Sequence, residues 1–209
     1  RRLRRDESRK CSVIQAHEVR AEAGEARELL HLTAIALCNL SANPAAPFRK
    51  EITSGGCRRA VLKLLAHRDP AVAKLGLKIV YNVVTSESRR RPLSAHQKKK
   101  PAVKLDELCL DFLPHATRLL QAADRENAEL VLALLFLASQ RPACHDLFLR
   151  TGVVRALDSD RLRRGRPALL CAKTLANLAH NEGVRQALCE AGAVGWLAQL
   201  RAAPAGLGG

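Results

Sequence analysis

Apolar residues recur along this chain at helical spacing. From about Val13 to Ser41 the pattern is helical with an interruption at Gly24, and Leu29, Leu30, Thr33, Ile35, Leu37 and Leu40 form one stripe. Asn43-Pro44 closes that helix, because proline cannot continue the hydrogen-bond ladder. Phe48 to Ser54 predicts a short helix, Gly55-Gly56 a sharp turn, and Cys57 to Ala66 a second helix carrying Val61, Leu62, Leu64 and Leu65. Asp69-Pro70 opens a third, running to about Thr85: the aspartate caps free amides and proline fits the first helical position.

The periodicity lapses over 86–104, where Arg89-Arg90-Arg91 and Lys98-Lys99-Lys100 predict an exposed basic loop. It resumes from Leu105 to near Gln140, with an unusually apolar helix expected over Glu126–Ser139. A further stretch runs from Pro142 to Ala179, interrupted by a basic linker over Arg161–Pro167, and a last one from Gly183 to Leu200. Residues 1–12 read as a basic disordered or incomplete edge, and 201–209 as a flexible tail. The sequence holds no methionine and reads as a fragment.

Phrases recur within this pattern. Ala36-Leu37-Cys38-Asn39-Leu40-Ser41 is echoed by Ile79-Val80-Tyr81-Asn82-Val83-Val84, by Leu135-Phe136-Leu137-Ala138-Ser139 and by Thr174-Leu175-Ala176-Asn177-Leu178-Ala179. With Ser139 taken at the asparagine's place, the steps are 43, 57 and 38 residues. Gly56, Gly152 and Gly192 each precede an apolar residue by five positions, and Gly152 to Gly192 is 40 residues. A period near 40 points to stacked helical units, each unable to bury its apolar face alone.

These phrases resemble armadillo repeats, in which a short helix, a glycine turn, a second helix and a long third helix make one unit. Ala36–Ser41 resembles the end of the third helix. Glu190-Ala191-Gly192-Ala193-Val194 resembles the glycine turn, with Ser54-Gly55-Gly56 and Arg150-Thr151-Gly152-Val153-Val154 as looser matches. The unit at 105–140 departs most, lacking the turn. The resemblance implies an all-α, right-handed α-solenoid of about four repeats over 13–200, with HEAT repeats as the alternative of like architecture. It also implies a concave groove lined by the third helices.

Composition agrees with helices packed on helices: 47% of residues are apolar but only 3% aromatic. The net charge of +15 favours acidic partners without choosing among them. Seven cysteines show no C-x-x-C spacing and read as reduced core thiols of an intracellular protein, cytoplasmic or nuclear. The histidines lack metal-ligand spacing, and there is no phosphate loop, G-x-S-x-G or H-E-x-x-H motif. Cys144 beside His145 is a nucleophile–base pair by adjacency alone. No enzyme activity, metal, cofactor or small-molecule substrate is expected, and no apolar run reaches the roughly 20 residues that span a bilayer.

The resemblance places Asn39, Asn82 and Asn177 in the groove, where each would hydrogen-bond the backbone of an extended peptide; the competing reading is that each ties a helix end to the neighbouring loop. Four residues earlier stand Ile35, Lys78, Leu135 and Lys173, where import receptors for basic peptides carry tryptophan. Lys74, Lys78 and Lys173, with His31, suit an acidic ligand instead. The expected role is a protein-binding scaffold or adaptor for an extended acidic segment. The rivals are nucleic-acid binding through 87–104 and Arg161–Arg166, and a spacer within a larger multidomain protein.

Overall fold

The computed structural model describes residues 24–43, 51–52, 55–89, 105–122 and 124–202. These residues are all-α, with no strand among them. Helix α1 covers 24–42, α2 Gly55–Leu65, α3 Pro70–Arg89, α4 Leu105–Ala122 and α5 Arg125–Ser139. A 3-10 turn, Pro142–Cys144, leads into α6 (His145–Arg150) and α7 (Val153–Ala156); a second, Asp160–Leu162, precedes α8 (Gly165–Ala179). Helices α9 (Glu182–Glu190) and α10 (Ala193–Ala202) close the chain's described part.

Packing follows chain order. Helix α3 lies on α2 and α5; α5 lies on α3, α4 and α8; α9 and α10 lie on α8. None of the principal contacts joins α2 or α3 to α8, α9 or α10. The apolar stripes thereby merge into one continuous core from Ala34 on α1 to Ala193 on α10, filled by leucine and valine with Phe112 and Phe148. Leu29, Leu32 and Leu40 on α1, and Val194 and Leu197 on α10, stay exposed at its two ends.

Polar side chains secure the seams. Arg58 on α2 bridges Glu107 and Asp111, one turn apart on α4, and the hydrogen bond it donates to Asp111 leads in raising its pKa. Arg118 on α4 donates to the Leu65 and His67 carbonyls, satisfying acceptors left over where α2 ends. The Asp69 cap is as the sequence suggests: its Oδ1 accepts from the Ala71 amide at 2.9 Å. Arg27 of α1 donates to its other oxygen (Nε at 3.1 Å), and this bond leads in lowering the Asp69 pKa. Asp124 caps α5 likewise, accepting from the Asn127 amide at 2.8 Å. Gly76 lets α3 sit directly on α2, since a Cβ there would lie 2.8 Å from the Leu65 nitrogen.

Three expectations need correction. Helix α3 runs four residues past Thr85, so Ser86–Arg89 belong to it and not to the basic loop. The hydroxyls at this end bond back onto the helix, Thr85 to the Tyr81 carbonyl at 2.6 Å and Ser86 to the Val83 carbonyl at 3.0 Å. Arg161–Pro167 is not a plain linker: it holds most of a 3-10 turn and the first residues of α8. In the first glycine turn the left-handed residue is Gly55 (φ 45°), not Gly56; Gly152 (φ 69°) and Gly192 (φ 79°) hold that conformation as expected of turn glycines. Where the glycine turn is missing, α4 runs unbroken through Pro114, which sits on its exposed face. The predicted edge 1–12, tail 203–209, most of the predicted helix 48–54 and residues 90–104 lie outside the described residues.

Candidate partner-binding face

The groove residues singled out from the sequence lie on α1, α3 and α8, with α5 packed between α3 and α8. Two rows cross them. Near the C-terminal ends stand the asparagines. Asn82 Nδ2 donates to Ser41 Oγ at 3.0 Å and reaches the Cys38 carbonyl at 3.4 Å. Asn177 Nδ2 donates to Ser139 Oγ at 2.9 Å. Each serine passes its own proton back, Ser41 to the Cys38 carbonyl at 2.6 Å and Ser139 to the Phe136 carbonyl at 2.7 Å. The two serines are buried and the two asparagines half-buried. Asn82 and Asn177 therefore tie their helices to the preceding one, and Asn39, on α1, is exposed.

This geometry corrects the alignment of Ser139 with the asparagines. By bonding pattern Ser139 corresponds to Ser41, which puts Leu137 in the asparagine's place and makes the steps 43, 55 and 40 residues. A rule then emerges. Ser41 is followed on the next helix by Asn82, and Ser139 by Asn177; Val84 stands in the serine's place on α3, and the next helix answers with Leu137. Polar meets polar and apolar meets apolar, as burial demands, because an amide facing a methyl group would lose its hydrogen bond to water without replacement.

The second row lies toward the N-terminal ends and is charged. Lys74 donates to Glu126 at 3.1 Å and lies 4.0 Å from Asp124; Lys78 lies 3.7 Å from the same Glu126. The Lys74 hydrogen bond is the largest influence holding the Glu126 pKa below its ordinary value. Lys78 also faces α1: burial raises the Cys38 thiol pKa, and the Lys78 charge opposes that rise. Lys173, exposed on α8, holds its ammonium 5.9 Å from the centre of the Phe136 ring. The basic row is thus interleaved with acids of the same protein. His31 is set apart from it, in a cleft with Arg27, Glu28, Asp69 and Val72.

Of the basic loop, Arg89 ends α3, while Arg90, Arg91, Lys98, Lys99 and Lys100 lie outside the described residues. In the other basic segment, Arg163 pairs with Asp158 at 3.0 Å and Asp160 at 3.1 Å, and Arg166 lies 3.8 Å from Glu129. Those pairs offset part of the charge on which the nucleic-acid reading depends.

Cys144 and His145, the adjacent pair, are both buried. Cys144 is fully buried, and its hydrogen bond with Cys109 leads, with burial second, in raising the Cys109 pKa. His145 Nε2 donates to the Ser139 carbonyl at 2.8 Å, and its Nδ1 faces the Asn181 amide at 3.3 Å. Both ring nitrogens are engaged in joining α5, α6 and α9. Burial pushes the Cys171 thiol up to about 12. Among the described residues no group of three or more His, Cys, Asp or Glu side chains is placed to hold a metal, and no helix is long and apolar enough to cross a membrane.

Comparison with protein-family models, with curated proteins and with solved structures yields no match.

Proposed function

We propose that the chain is an armadillo-type α-solenoid acting as a non-enzymatic scaffold, which binds an extended acidic protein segment along the face formed by α1, α3, α5 and α8. The supporting observation is the packing order: these helices lie side by side in sequence, each on its neighbour, which suits an elongated surface better than a closed pocket. Lys74, Lys78 and Lys173 stand on that face. In this reading Glu126 is the resident acid that an incoming carboxylate displaces. Asn82 and Asn177 commit their amide nitrogens to serines, which leaves their carbonyl oxygens to accept from a peptide N–H; Asn39 offers both ends of its amide.

The test is fluorescence anisotropy with a degenerate Asp/Glu-rich peptide. Lys78→Glu is expected to weaken binding by about tenfold, and Glu126→Gln to strengthen it several-fold by freeing both lysines. Binding that ignores both substitutions removes the acidic-groove reading.

A further inference from the structure

Six large apolar side chains stand exposed among the described residues, and five of them lie on α1 or α10, the first and last helices. The sixth, Leu169, is 53% exposed on α8, between those ends in chain order. A second apolar group joins it from α5. Phe112 and Phe148 are fully buried, but Phe136 is half-buried and stands outside the core, with the Lys173 ammonium 5.9 Å from its ring centre. Lys173 lies one helical turn after Leu169 on α8, so the leucine, the lysine and the ring occupy one strip of surface across the α5–α8 junction.

Neighbouring places make this strip a shallow apolar seat. In the register set by the serine bonds, Lys78 of α3 and Lys173 of α8 stand one helical turn before the asparagine places, and Ala133 of α5 stands between them. A methyl group between two long side chains leaves a dip, and Phe136 forms its next wall, one turn on. Of the three lysines on this face, Lys74 and Lys78 meet Glu126, while Lys173 meets no carboxylate among the described residues. Its contact with the ring is a placeholder: an ammonium over a solvent-facing ring gains little, and both partners can exchange it for a stronger one.

We propose that this seat takes a leucine or phenylalanine side chain of the extended acidic segment, an inference that rests on the acidic-groove reading. The apolar side chain covers the Phe136 ring beside Leu169, and carboxylates on either side of it meet Lys78 and Lys173. Charge complementarity selects this occupant. A second copy would set lysines against lysines across a two-fold axis, in a chain of net charge +15. Helix spacing also sets the ligand's pattern. Packed helices lie about 8–10 Å apart, so Lys78 and Lys173, on either side of α5, are separated by about two such steps. An extended chain rising about 3.3 Å per residue covers that distance in about six residues. The ligand is thus an acid, an apolar residue about three positions on, and a second acid about three positions beyond.

The proposal is tested by fluorescence anisotropy on the full chain with two labelled peptides of that pattern, identical except for leucine or asparagine at the centre. The leucine peptide should bind at least about tenfold more tightly, the effect of burying one such side chain. Leu169→Ser, a change at an exposed position, and Phe136→Ala should each cut that preference to about threefold or less, with the helical circular dichroism unchanged. Val194→Ser, at an exposed apolar residue of α10, should keep it. Equal binding of the two peptides, still lost in Lys78→Glu, overturns the seat and leaves the acidic groove standing; no binding of either overturns both. A preference untouched by L169S and F136A, or lost equally in V194S, also overturns the seat. A dimer in sedimentation velocity that L169S disperses assigns the strip to a second copy and overturns it too.

Discussion

The junction of α5 with α8 and that of α3 with α5 join the same kinds of helix by different means. The first is closed near its C-terminal ends by an amide–hydroxyl bond, Asn177 to Ser139, inside the core. At the matching height the second has Val84 and Leu137, both packed into the core, and its polar links are the Lys74 and Lys78 contacts with Glu126 at the surface. Burial explains the division. Inside, a polar group is tolerated only with a partner in place, so either both members are polar or neither is. At the surface, where Glu126 is 65% exposed, water can replace either partner, and the pairing contributes little to stability.

The largest effect should come from Gly76→Ala, which disturbs both sides of the comparison by lifting α3 from α2. The new Cβ meets backbone at 2.8 Å, and a loss of about 3 kcal/mol in urea unfolding is expected. Gly195→Ala, where a Cβ meets open space inside α10, should instead gain up to about 1 kcal/mol. Next, Leu137→Asn should cost about 2 kcal/mol by setting an amide in an apolar junction, and adding Val84→Ser should restore much of it. Ser139→Ala should cost about 1–2 kcal/mol by stranding Asn177, with recovery in S139A/N177L. If the paired changes show no coupling in these cycles, the polar-or-apolar rule is wrong.

The smallest effect separates the junctions by pH. The Glu126 pKa is lowered in the folded state, so its contribution is present above the ordinary value near 4.5 and is lost as pH falls through the lowered one. The Asn177–Ser139 pair does not titrate there. Hydrogen-exchange protection factors should therefore fall slightly more at the facing first turns of α3 and α5 than at the C-terminal turns of α5 and α8 between pH 7 and 3. Glu126→Gln should erase the difference.

Much of the helical order was legible because its signals are local. Leu105 opens α4 where periodicity resumes, and Asp69-Pro70 opens α3 with the cap in place. The end of α3 was placed at Thr85, yet the helix runs on to Arg89 with the Thr85 and Ser86 hydroxyls bonded back to its own carbonyls. The other misreadings share a cause, which is that partners distant in sequence decide them. Ser139 resembled a substituted asparagine until its bond with Asn177, 38 residues on, showed which place it fills. Gly76 gave a signal that was passed over: a glycine inside a well-formed helix marks a close approach. The basic side chains of the candidate face were found by position, but the acids among them were not, since nothing local links Lys74 to Glu126, 52 residues away. Arg161 and Arg164 were read within a charged linker, since nothing local links them to Arg125, which lines one cleft with them from another helix.

The serine and asparagine places also limit which helices can trade positions. Exchanging α3 with α8 would put Asn177 above Ser41, Leu137 above Ala179 and Asn82 above Ser139, so the serine and asparagine places stay compatible, but Cys171 would then stand where Gly76 meets α2. Exchanging α5 with either neighbour strands a hydroxyl or an amide. A handful of side chains thus acts as a sorting grammar, under which the polar places of α3 and α8 are synonyms while the glycine of α3 has no counterpart.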